Sequence, residues 1–240
     1  MKLNVFENID ALYFAFADFF VECAHTAITA NGKFSVALSG GSSPKKLYEL
    51  LASEAYEKQI DWTKVYFFFG DERDVAHSHP DSNYLMAKNA FLDTLNIKAD
   101  HIFAVDTSLS PADAALAYQQ SIIDFFKGQP NFDLILLGLG DDAHTASIFP
   151  GTHLVSEKTA LVKEVYLADK AVYRISFTAP LINAAKNVSF FTFGANKADA
   201  IKAVLESPTD VLKYPAQLIA PINGQLQWFV DQAAVAKLSQ

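Results

Sequence analysis

The chain has 240 residues, 51% of them hydrophobic and 19% charged, enough apolar material for a core that needs no disulfide staples and too much for a disordered chain. Its formal net charge of -8 repels nucleic acid and anionic lipid as a whole, so any anionic ligand has to be met by a local cluster of Lys, Arg or backbone N–H groups. A single cysteine, Cys23, excludes an intrachain disulfide framework and points to packing in a reducing compartment.

In chain order, the apolar stretch over residues 9–30 is broken by Asp10, Asp18, Glu22 and His25, which makes it a buried amphipathic helix rather than a membrane span. Glu7, Asp10 and Asp18 also stand where a secretory signal would have a basic start and an unbroken apolar region. The expected location is therefore cytoplasmic. Asn31-Gly32 is a helix stop, and Phe34–Leu38 is a short strand running into SGGSSP. A second helix follows over residues 44–55, with Ser43 as N-cap and Pro44 at its first position. Val65–Phe69, VYFFF, is apolar on both faces and empties into GDER.

Residues 81–95 have helical apolar spacing, and Ser110-Pro111 opens a further helix through Phe126 that stops at Gly128. Leu134–Leu137 is another buried strand. RISFTAP and SFFTFGANKAD follow as strand-like runs, the second giving way to the helix AIKAVLES. The tail PINGQLQWFV contains a turn at Asn223-Gly224, a final strand and, beyond it, a short closing helix. Buried runs alternating with helices define an α/β chain with a Rossmann-like, mostly parallel sheet covered on both faces, and with no linker in sight the expectation is a single domain over 1–240.

Ligands in such sheets bind beyond the carboxyl ends of the strands. Four runs end in polar sequence, SGGSSP, GDER, GLGDDAHTAS and GANKAD, so all four are expected on one edge. SGGSSPKK sets Gly40 and Gly41 at a tight turn and Ser42 at a helix start whose free N–H groups suit a phosphate, without the spacing of a P-loop. Arg174 and Lys197 would supply the cations that an acidic protein needs there. Asp71 and Arg73 follow a fully buried strand, which favours the site over a solvated loop. His144 follows Asp141 and Asp142, and an imidazole held by a carboxylate can take a proton from water and return it to a leaving oxygen. No second histidine stands at helical spacing from His144 and no cysteine partners it, so no metal is expected there. His77-Ser-His79 lies in a Pro-containing loop and is read as solvent-exposed. The many phenylalanines are core residues.

With those residues assembled, the chain resembles the glucosamine-6-phosphate isomerase/6-phosphogluconolactonase family, on its lactonase side. The segments SGGSSPKKLYELL, FFFGDER followed by SNY, FDLILLGLGDDAHTASIFPG, RISFTAPLINAA, FGANKADAI and QWFVDQAA fall in the family's order and cover most of the chain. The resemblance implies a fold related to isomerases and CoA transferases. It also implies cofactor-free hydrolysis of 6-phosphogluconolactone, a small sugar phosphate, to 6-phosphogluconate in the oxidative pentose phosphate pathway. In that picture His144 is the general base, Asp142 its support, Asp71 and Arg73 line the sugar pocket, and Gly41, Ser42, Arg174 and Lys197 hold the phosphate. A lactone is an activated ester, so positioning and base catalysis suffice without a covalent nucleophile. The oxyanion donors are either backbone N–H groups of the glycine loops or Arg73.

Two positions depart from the family pattern. Ala143 replaces the glycine that usually precedes the histidine, which implies strain if that position needs a positive φ. DKAVY lacks the prolines often found before Arg174, so that loop is expected to run differently. The rival activity within the family, glucosamine-6-phosphate deamination, goes with DEY rather than DER and with a Glu-containing stretch after the histidine. A non-catalytic sugar-phosphate binder is the rival of another class, and it would be expected to have lost His144 or its carboxylates. A monomer or a small homo-oligomer is compatible with the resemblance.

Overall fold

A computed structural model describes residues 1–239. The strands and helices run in the order β1 (Lys2–Phe6), α1 (Ile9–Asn31), β2 (Phe34–Leu38), α2 (Ser42–Leu51), β3 (Val65–Phe69), β4 (Asp71–Arg73), α3 (Asn83–Ala87), β5 (Ile102–Phe103) and α4 (Pro111–Phe126). They continue through β6 (Leu134–Leu137), β7 (Val162–Leu167), β8 (Val172–Phe177), α5 (Ala179–Asn183), β9 (Asn187–Phe191), α6 (Ala198–Glu206) and β10 (Gln225–Asp231). Seven strands form one parallel sheet in the order β1-β10-β9-β6-β2-β3-β5, the α/β class expected from the sequence.

Period-two alternation explains why the sheet is covered twice. In β3, Phe67 and Phe69 point into one core with Val36, Leu38 and α1, while Phe68 points into the other with Ala37, Ile135 and α4. Burying each such Phe stabilises the fold by about 1.5–3 kcal/mol. By length and composition alone α1 would suffice to cross a membrane. Its apolar face is instead packed inside the molecule, with Leu12, Phe16 and Phe20 fully buried. Asn8 caps its start by accepting from the Ala11 N–H, and Gly32, at φ 74°, ends it in the left-handed conformation. Cys23 is buried beside this core, and burial pushes its thiol up to about 12, in keeping with packing.

The chain leaves β2 towards β3 and β5, then returns to the opposite side of β2 to place β6, β9 and β10. The reversal lies between β2 and β6, so the loops after these two strands flank a topological switch point.

Several sequence expectations change. The tripeptide DER is a strand, β4, which joins β7 and β8 in a separate three-stranded antiparallel sheet, and RISF belongs to that sheet rather than to the parallel one. Helix α2 starts at Ser42 with Gly41 at the N-cap and ends at Leu51, so Ser43 is inside the helix and not its cap. Within 81–95 the regular helix begins only at Asn83 and passes into π-type turns over Lys88–Leu92. The start is delayed because the Glu72 carboxylate takes the N–H groups of Asn83 and Tyr84 and Ser82 caps the Leu85 N–H. After β10 the chain makes turns rather than a closing helix, because Asp231 Oδ1 accepts from the N–H groups of both Ala234 and Gly194. Strand β1, a half-exposed edge strand parallel to β10, carries too little apolar pattern to be read from KLNVF.

Candidate active site

A cleft of about 310 Å³ opens at the carboxyl ends of β2, β3 and β6, walled by Ser39 and Gly40, by Asp71 and Arg73, and by Gly138 through Gly140 with His144. Arg174 from β8, Lys170 from the β7–β8 turn and Lys197 from the loop before α6 complete it. The four polar strand ends therefore do meet at one place.

His144 is held from two sides. Its Nδ1 lies 2.5 Å from Asp142 Oδ1, and its backbone N–H donates to the same oxygen at 3.1 Å. Phe149 stacks on the ring with centroids 3.9 Å apart. With Nδ1–H donating to the carboxylate, the free lone pair is on Nε2, which has no hydrogen-bond partner among the described residues. Burial raises the Asp142 carboxyl, but hydrogen bonds from the His144 side chain and backbone outweigh it and hold the group below the usual carboxylate range.

The glycines at two points are steric requirements. A Cβ on Gly140 would fall 2.0 Å from His144 Nδ1 and 2.6 Å from Asp142 Oδ1, so the imidazole occupies the space above that Cα. A Cβ on Gly40 would fall 2.0 Å from Asn83 Oδ1. Ala143 does adopt a positive φ, 61°. The left-handed conformation costs an L-residue about 1–2 kcal/mol, and the Ala143 methyl, buried in the main core, recovers about 0.8 kcal/mol, which offsets a large part of that cost.

On the opposite wall Arg73 and Arg174 are directly paired across β4 and β8. Both guanidinium Nε atoms are buried without a hydrogen-bond partner among the described residues. Burial lowers the Arg174 pKa; Asp71 opposes this, while the neighbouring Arg73 adds to it. Arg73 Nη1 donates to the Asp81 carbonyl. Asp71 is fixed by Ser147, whose hydroxyl donates to Oδ2 at 2.7 Å, and by Asn83, whose Nδ2 donates to the Asp71 carbonyl at 2.8 Å. Lys197 reaches the cleft with its Nζ 2.7 Å from Asp141 Oδ1.

Not every expected site residue lines this space. Gly40, Asp71, Arg73, His144, Arg174 and Lys197 do. Gly41 and Ser42, at the N-cap and first position of α2, do not line it, and Asp142 reaches the cleft only through His144. Sequence reasoning missed Ser39, Thr145, Ser147, Phe149 and Lys170 as lining residues and Asn83 as the bracket for Asp71. The HTAS and SNY motifs were available signals for Thr145, Ser147 and Asn83. His77 and His79 have unrelated partners: His77 Nε2 meets the Val105 carbonyl at 2.7 Å, and His79 Nδ1 accepts from the Asp81 N–H.

A doubly covered parallel sheet with a cation-rich, histidine-bearing cleft at its switch point defines a Rossmann-like protein built for a small anionic ligand. The family model for glucosamine-6-phosphate isomerases/6-phosphogluconolactonase matches residues 7–228, and the chain belongs to that family. It is similar to a 6-phosphogluconolactonase of a Nostoc species, 45% identical over 89% of this chain and 88% of that one. A 6-phosphogluconolactonase of a Synechocystis species is 42% identical over 87% and 86%. Among solved structures, the 6-phosphogluconolactonase from Trypanosoma cruzi superposes with a TM-score of 0.88 at 30% identity, covering 100% of this chain and 97% of that one.

Proposed function

We propose that this chain is an enzyme that hydrolyses 6-phospho-D-glucono-1,5-lactone to 6-phosphogluconate in the pentose phosphate pathway. The observation that carries the chemistry is His144, pinned at Nδ1 by Asp142 and set in a cleft with Arg73, Arg174 and Lys197. Its Nε2 takes a proton from water as the water oxygen adds to the lactone carbonyl carbon. The oxyanion that forms is met by Arg73 or by backbone N–H groups of the glycine loops other than that of Gly140, which already donates to the His144 carbonyl. When the carbon–ring-oxygen bond breaks, protonated His144 returns its proton to the departing oxygen, and no covalent intermediate forms. Asp142 orients the ring and stabilises its charged form. The phosphate falls to Arg174 and Lys197 with the turn at Gly40, Gly41 and Ser42, while Asp71 and Arg73 meet the sugar.

The names of the relatives favour lactone hydrolysis over deamination of glucosamine 6-phosphate. We further infer that 1–240 acts as one domain, cytoplasmic, without a cofactor, metal, membrane or nucleic-acid partner, as a monomer or small homo-oligomer. The test is His144→Ala. Lactone is generated in place by enzymatic oxidation of glucose 6-phosphate in weak buffer, acid release is followed, and uncatalysed decay is subtracted. The variant is expected to lose about 10²- to 10⁴-fold in kcat while still binding 6-phosphogluconate. Loss of binding in proportion to turnover would refute the role of general base.

A further inference from the structure

Lys197 stands in the cleft with its ammonium already engaged. Its Nζ donates to Asp141 Oδ1 at 2.7 Å, and Asn196 Nδ2 donates to the same oxygen at 3.2 Å. The Asp141 side chain is the wetter partner, 68% exposed against 23% for Lys197. Arg73 and Arg174, by contrast, form no ion pair among the described residues. One of the cleft's cations thus carries its own counterion while its neighbours carry none.

Lactone hydrolysis gives this asymmetry a consequence. The water oxygen bonds to the carbonyl carbon, the ring carbon–oxygen bond breaks, one water proton ends on the released hydroxyl, and the other is lost when the new carboxylic acid ionises. The substrate carries the charge of its phosphate alone; the product carries one negative charge more. A cleft lined by Arg73, Arg174, Lys170 and Lys197 would hold the product harder than the substrate.

We propose that Asp141 is a built-in competitor for Lys197, reclaiming the ammonium from a bound anion and so loosening the grip on the product. Asp141 is a positioning residue that acts through Lys197. The identity of the product rests on the lactonase reading, whereas the competition itself needs only an anion in the cleft. If Asp141 served only to hold Lys197 in place, its loss would weaken anion binding. Competition demands the opposite sign.

The test uses the whole chain carrying Asp141→Asn, which keeps an oxygen acceptor and removes the charge. Inorganic phosphate and 6-phosphogluconate are titrated calorimetrically, and product inhibition of acid release is measured in parallel. Both ligands are expected to bind about two- to fivefold tighter, the span of an exposed ion pair, with the Ki for product falling alike and the gain shrinking as salt rises. Asp141→Glu is expected to restore parental affinity. In a Lys197→Gln background the effect of Asp141→Asn is expected to vanish. Unchanged or weaker binding would overturn the proposal, as would tightening that persists without Lys197. A parent chain inactive on the lactone, with Asp141→Asn still tightening phosphate, would sink the lactonase reading and leave the competition standing.

Discussion

Gly140→Ala tests whether the cleft works by placing one imidazole. The added Cβ would lie 2.0 Å from His144 Nδ1 and 2.2 Å from Cε1. Non-bonded heavy atoms rest at about 3.5 Å or more, so the ring would have to retreat by about 1.5 Å or tilt away from Asp142. Displacement of about 1 Å in a reacting group costs on the order of 10²-fold in rate, and the lost Asp142 contact adds to it. Gly140 is not in the left-handed region, so alanine imposes no backbone strain of its own. Expected in the acid-release assay is a kcat lower by roughly 10²- to 10³-fold, with 6-phosphogluconate affinity within a few-fold of the parent and thermal unfolding little changed. Parental kcat in a folded Gly140→Ala protein would refute the reasoning, because His144 could then work from a position that the methyl forbids.

Glu72 offers a stability test of the scaffold behind Asp71 and Arg73. Its buried carboxylate accepts from the Arg73, Asn83 and Tyr84 N–H groups and the Ser82 hydroxyl, and its pKa is raised by burial against the pull of those backbone bonds. Glu72→Gln turns one end into a donor facing donors, with an expected loss of about 2–4 kcal/mol in urea unfolding; a loss under 0.5 kcal/mol would show the network to be dispensable. Glu157 concerns pH. N–H groups of Thr159, Ala160 and Lys158 lower its carboxyl to about 2. The folded pKa is depressed, so the stabilisation is present above the unfolded value of about 4.3 and lost as pH falls towards 2. Glu157→Gln is expected to flatten the fall in stability over that interval, modestly because the group is exposed; equal slopes for the two proteins would count against it.

The central parallel strands β2, β3 and β6 were legible because burial on both faces leaves the continuous apolar runs FSVAL, VYFFF and LILL, whereas the edge strands β1 and β5 carry no such run. The convergence of their polar ends followed from the direction rule for such sheets. β4 was illegible for a physical reason: Asp71, Glu72 and Arg73 resemble loop charges, and only pairing with β8, far along the chain, makes them a strand. The same blind spot hid Lys170, which a tight turn swings into the cleft, and the delayed start of α3, which a single buried carboxylate dictates. His144, Asp142 and Asp71 were visible as residue types at meaningful places. Their holders, Gly140, Ser147 and Asn83, act by shape and hydrogen bonding with partners that no local pattern reveals.

The register that sets Arg73 opposite Arg174 means that folding forces two like charges together across β4 and β8. Their mutual repulsion opposes closure of the small sheet, and the adjacent register pair Glu72 and Ile175, both buried, works against it. On the proposed reading, an arriving phosphate dianion at Arg174 would ease the repulsion without having to gather the cations or freeze their side chains. Part of the free energy of folding would thus be stored as readiness, released when such a ligand docks. On that reading the small sheet and the anion would stabilise one another, so that conformational stability and affinity would be coupled quantities rather than independent ones.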